Sequence, residues 1–213
     1  MNTSLPERWS HVWQEAGCRG DARPCYDHLA AAYSESQRHY HNLQHVSECL
    51  QIFDPVRHLA AQPAAIEMAI WFHDAVYDPT ASDNEERSAA LAVQYLSPAG
   101  AARGFVDVVS RLILVTKTHD SGSDTDAALL GDVDLSILGQ PAPRFQEFEA
   151  QIRKEYAWVP VQTFATKRAE ILARFLKREH IYHNDLFRKK FEQQARRNLQ
   201  SSITTLLSQT PHR

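Results

Sequence analysis

Residues 64–78 read AAIEMAIWFHDAVYD. Ile66, Ala69, Ile70, His73, Val76 and Tyr77 recur at steps of three and four, the spacing of one helix face. With Pro63 at its first turn, the stretch predicts a helix running to about Val76. His73 falls on the face that should turn inward. Asp74 lies about 100° further around, in line with Ile70 and Tyr77. Burying an unpaired carboxylate is costly, so this adjacent His and Asp need a partner. A divalent cation would satisfy both; a buried His–Asp hydrogen-bonded pair is the plainer alternative.

The rest of the chain reads at helical period too. Ser4 and Glu7 make a capping box, with Pro6 in the first turn and Gly17 as the stop. A second helix is expected from about Pro24 to Ser34, and Asn42 can cap a third through Phe53. Others are expected over Glu85 to about Leu96, Ala102 to Lys117, Asp124 to Leu138, from Pro143, from Pro160, and over Leu186 to Ser208. Pro79–Asn84 and His119–Thr125 carry turn residues. No repeat or low-complexity linker interrupts this pattern. The expectation is an all-α fold: one helical domain with a core of about 25–140 and additional C-terminal helices over about 141–208.

Composition sets further bounds. The 213 residues carry a formal net charge of −3, which gives no argument for nucleic acid as a partner. Three cysteines (Cys18, Cys25, Cys49) without CxxC spacing argue against a disulfide framework and suit a reducing compartment. No signal peptide pattern opens the chain and no apolar run approaches membrane-spanning length. A cytoplasmic protein with no membrane partner is expected. A homodimer stays open, since no self-complementary patch can be read.

Two more segments supply candidate ligands. In DTDAALLGDVDLSIL (124–138), Asp134 shares a face with Leu130, Ile137 and Leu138. Asp132 points elsewhere, as a solvated carboxylate would, and remains the alternative ligand if the helix starts later. In RHYHNLQH (38–45), His45 falls just inside a helix, beside the Leu43–Val46–Leu50 stripe and in line with Cys49. His39 should be exposed. Imidazoles and carboxylates from His45, His73, Asp74 and Asp134 suit Mn, Fe, Co, Ni, Zn or Mg. Four such ligands leave positions for water and a phosphoryl oxygen, the arrangement for hydrolysis by metal-bound hydroxide.

This His…His-Asp…Asp pattern in a helical chain resembles the HD superfamily. RHYHNLQH (38–45), WFHDAVYD (71–78), NEERSA (84–89), GDVDLSILG (131–139), IRKEYAWVP (152–160) and RAEILARFL (168–176) are similar to its branch of predicted metal-dependent HD phosphohydrolases. The resemblance implies an HD helical core, a bound divalent metal and phosphoester hydrolysis. It aligns His45 with the first histidine, His73 and Asp74 with the name-giving pair, and Asp134 with the final aspartate. Between Ala75 and Val133 the only histidine is His119, so one metal is expected rather than the two of di-iron HD oxygenases.

Phosphate chemistry also needs cations and a proton carrier. Arg38, His41 and Lys117 are candidates for substrate binding; Glu85, Glu86 and His119 are candidates for general acid/base work. Tyr77 and Trp71 read as core. The Lys/Arg-rich stretch 167–197 is interleaved with acids and reads as a solvated amphipathic face. The expected function is hydrolysis of a small phosphorylated metabolite, with a nucleotide as the leading class. The alternative is a non-catalytic metal- and nucleotide-binding HD sensor module.

Overall fold

Helix starts follow the local chemistry of the chain. In the computed structural model, which describes residues 4–208, Glu7 accepts both the Ser4 N–H (2.9 Å) and the Ser4 O–H (2.7 Å) at the start of α1 (Leu5–Glu15). α2 covers Arg23–Ala32. Asn42 Oδ1 accepts the Gln44 N–H (2.9 Å) to open α3 (Leu43–Phe53), which runs into a 3₁₀ segment, Asp54–Leu59. α4 (Pro63–Phe72), α5 (Asn84–Leu96) and α6 (Arg103–Val115) follow. Asp124 Oδ1 accepts the N–H groups of Asp126 (3.0 Å) and Ala127 (3.1 Å) and so starts α7 (Thr125–Asp134). Among the described residues there is no strand, and the chain is all-α. No described helix is long and apolar enough to cross a membrane.

The chain forms two compact units, divided after Val133, one residue before α7 ends. The first is arranged around α4. Every residue from Ala65 to Phe72 is buried, including Glu67. α1, α3, α5 and α6 pack around this helix. Burial on all sides explains why its sequence is more continuously apolar than a surface helix. Trp9 packs against Trp71 (5.4 Å between ring centroids, edge-on) and Phe72 (5.9 Å). Glu67 is 5% exposed, and its charge is matched by Arg8 (2.7 Å) and Arg57 (3.5 Å). Asp126 is a second buried carboxylate; it accepts the N–H groups of Ala61 and Gln62, both at 2.8 Å, just ahead of α4.

Two helix ends differ from the sequence expectation. α4 stops at Phe72 rather than near Val76, and His73 is its C-cap. The bonds that would extend the helix go elsewhere: the Trp71 carbonyl accepts the Tyr33 hydroxyl (3.1 Å), and the Val76 N–H goes to Ser88 Oγ (3.0 Å). The helix expected from Asp124 to Leu138 tightens after Asp134 into a 3₁₀ segment, Leu135–Gly139.

That segment opens the second unit, which continues with α8 (Ala142–Glu155) and α9 (Val161–Leu176). A last helical stretch follows: α10 (Asp185–Phe187), a π-turn (Arg188–Glu192) and α11 (Gln193–Ser208). The Asn198 side-chain amide donates to the carbonyls of Leu138 and Gln140, both at 2.8 Å, and satisfies the end of the 3₁₀ segment. Glu192, in the π-turn, accepts the Ile181 N–H at 3.0 Å. Gly139 is needed for space rather than for backbone freedom. A Cβ there would stand 2.5 Å from Phe191 Cβ and 2.8 Å from the Phe191 carbonyl oxygen.

Two predictions follow from this packing. Gly139→Ala should lower stability by about 1–3 kcal/mol in thermal or urea unfolding, because the clash includes main chain that cannot move alone. Burial pushes the Cys18 thiol up to about 11. The thiolate is the reactive form, so alkylation of Cys18 should be slow at pH 8 and rise only as pH approaches that value. Mass spectrometry of iodoacetamide-treated native protein reads this directly.

Candidate metal centre

The site begins where α4 ends. His73 remains in helical backbone and donates its N–H to the Ala69 carbonyl at 2.8 Å. Its ring Nδ1 lies 3.0 Å from the Ile70 carbonyl oxygen. A carbonyl only accepts, so Nδ1 carries a proton, and in its neutral form His73 presents an unprotonated Nε2. That Nε2 lies 3.0 Å from Asp74 Oδ2 and 3.1 Å from His45 Nε2. His45 Nε2 is 3.7 Å from the same carboxylate oxygen. α3 supplies His45, fixed by the Asn42 cap one turn earlier. His45 and His73 are 2% and 3% exposed, while the Asp74 side chain keeps 18% of its surface open.

Three potential donor atoms thus face a common point. Ligands held about 2.1 Å from a divalent ion stand about 3.0 Å apart at right angles and about 3.6 Å apart at 120°. The observed edges match those separations. Without a cation or an added proton, a nitrogen lone pair and a carboxylate oxygen would face each other at 3.0 Å in a buried site. The donor set therefore fits a metal ion.

Burial pushes the Asp74 carboxyl up, but when the imidazoles are protonated the charges of His73 and His41, the hydrogen bond from His73 and the charge of His45 outweigh it and hold the group well below the usual carboxylate range. His41 stacks on Tyr77 with 4.2 Å between ring centroids and lies 6.1 Å from the His45 ring. The structure thus brings His41 and Tyr77, along with His45, His73 and Asp74, into one neighbourhood. Trp71 is fully buried, as expected.

Asp134 is the last residue of α7. It belongs to the second unit, whereas His45, His73 and Asp74 belong to the first. Asp132 has no exposed surface, which corrects its reading as a solvated carboxylate. α7 is buried along nearly its whole length, so facing away from one apolar stripe does not mean facing water. Cys49, whose Sγ lies 3.7 Å from His45 Nδ1, was missed as a site residue. Its position four residues after His45 was the available signal.

The proposed supporting residues divide differently. Arg38 was expected to grip phosphate with its guanidinium fork, but the fork is buried and bonded to main chain. Nη1 donates to the carbonyls of Asp74 (2.6 Å) and His41 (3.2 Å), and Nη2 to that of Ala75 (2.9 Å). Lys117 donates to the Ser82 carbonyl (2.6 Å) and Glu86 (2.5 Å), with Glu85 at 3.9 Å. The hydrogen bond from Lys117 holds the Glu86 carboxyl below its usual range. These three residues form an ion-pair cluster tying the end of α6 to the start of α5. His119 adopts φ 51 just beyond α6, donating its N–H to the Val115 carbonyl at 2.8 Å. Its ring lies near Gly131 of α7.

Compared with protein-family models, curated proteins and solved structures, the chain matches none. Divalent cation binding should therefore be tested on the protein itself. A cation supplied at about 100 times its Kd should stabilise the fold by about 2.7 kcal/mol, with Tm rising and chelator reversing the rise. His73→Ala should show no such rise.

Proposed function

We propose that this protein is a metal-dependent phosphohydrolase of HD type, acting on a small phosphorylated metabolite of the nucleotide class. The observation that carries the reading is the His45–His73–Asp74 triangle, with the His73 Nδ1 proton held on the Ile70 carbonyl and its Nε2 directed inward. Second-side bonding of this kind orients a histidine ligand. A divalent ion here would polarise a phosphoryl oxygen and acidify water; Mn, Fe, Co, Ni, Zn and Mg all suit these donors.

In this reading the chain's own residues divide the work. His45 and His73 would hold the ion through their buried imidazoles, and Asp74, whose side chain keeps 18% of its surface open, would hold it through its carboxylate on the side a substrate could reach. His41, stacked on Tyr77 and 6.1 Å from the His45 ring, would be the residue to contact a bound phosphate. The pairing of Glu86 with Lys117 favours a second reading, a sensor module that binds metal and nucleotide without turnover, because it ties up a proposed acid/base.

Metal analysis of protein purified without chelator, followed by assay on a panel of nucleotides and phosphomonoesters, tests the proposal. About one ion per chain with hydrolysis is expected, and Asp74→Ala should lose both. Metal without turnover would move the assignment to the sensor. Failure to take up any ion would leave His73 and Asp74 as a structural pair.

A further inference from the structure

We infer that Arg38 is a positioning residue for metal binding: its buried guanidinium fixes the main chain that carries Asp74. This rests on the reading of His45, His73 and Asp74 as metal ligands. The Arg38 side chain is 1% exposed and makes four hydrogen bonds. Nε donates to Glu35 at 2.9 Å, Nη1 to the His41 and Asp74 carbonyls, and Nη2 to the Ala75 carbonyl. Its faces are covered by Tyr33 (5.2 Å from guanidinium carbon to ring centroid) and Tyr77 (5.5 Å).

The consequence is geometric. Catching the Asp74 carbonyl sets the peptide plane that follows Asp74. Catching the Ala75 carbonyl sets the next plane. The His73 N–H on the Ala69 carbonyl holds the plane before His73, and the Asp74 N–H meets the Tyr33 hydroxyl, so the Asp74 backbone is held on both sides. The direction of its Cβ, and hence the reach of Oδ2 toward the two imidazoles, is fixed with it. The same fork also anchors His41 by its carbonyl and stands against the Tyr77 ring on which His41 stacks. A lysine cannot reproduce this: one ammonium nitrogen cannot occupy the positions of Nε and Nη2 together.

The test compares wild type, Arg38→Lys, Val12→Ala and Asp74→Ala, with Co²⁺ as probe. Kd is read by calorimetry, ligand geometry by the Co²⁺ visible spectrum, and stability by Tm of the metal-free protein. Val12→Ala is the stability control: Val12 is fully buried on α1, which carries none of the candidate ligands and none of the Arg38 partners. Arg38→Lys should weaken Co²⁺ binding about 10–100-fold and alter the spectrum, while Val12→Ala lowers Tm and changes affinity little. Wild-type affinity and spectrum in Arg38→Lys, with binding lost in Asp74→Ala, would overturn the positioning role and leave the metal site standing. Equal affinity losses in Arg38→Lys and Val12→Ala would reduce Arg38 to a stabilising residue. If wild type binds no Co²⁺, both the site and the role fall. Should Arg38→Lys not fold, Glu35→Ala, which removes the Nε partner, must bind Co²⁺ more weakly than wild type; unchanged affinity there overturns the proposal.

Discussion

A helix buried on every side has to end inside the protein, and the carbonyls of its last turn must still find donors. α4 meets this constraint with groups drawn from three places. The Ala69 and Ile70 carbonyls take the main-chain N–H and ring Nδ1 of His73, and the Phe72 carbonyl takes the Ala75 N–H. Tyr33 serves the Trp71 carbonyl, and Arg38 serves those of Asp74 and Ala75. The groups that terminate the helix are also those that orient the candidate ligands. Structural satisfaction and site geometry are therefore one network here, and neither can be altered alone.

Charge burial in the first unit follows the same logic. Glu67 and Asp126 are nearly as hidden as the leucines around them, yet neither lacks a partner. Glu67 draws together α1, the 3₁₀ segment and α4 through Arg8 and Arg57. Asp126 holds the main chain just ahead of α4 through two N–H groups. Removing one member of a buried ion pair typically costs about 3–5 kcal/mol, so the pairs at Glu67 are a firm tie between α1, the 3₁₀ segment and α4.

Much of this was legible in the sequence wherever the cause was local. The Ser4–Glu7 box, the Asn42 cap and the Asp124 cap depend on residues two or three apart, and each formed as expected. The inward placement of His45 and His73 followed from helical periodicity. What could not be read depended on distance along the chain. The periodicity of 64–78 continues past Phe72, and the partners that take its bonds, Tyr33 on the Trp71 carbonyl and Ser88 on the Val76 N–H, lie far from it in sequence. The Asp132 reading failed because a helical wheel assumes one wet face, whereas α7 has almost none. Arg38 read as a substrate-binding cation because three of its four acceptors are carbonyls, which carry no sequence signature.

The order of the donors along the chain has a kinetic consequence. His45 and His73 are 28 residues apart, and Asp74 follows immediately. All three belong to one stretch, α3, the short 3₁₀ segment and α4. Docking α3 on α4 closes a single modest loop, which carries little entropic penalty. Such local pairings form early in helical proteins. The triangle can therefore assemble before the later helices have found their places.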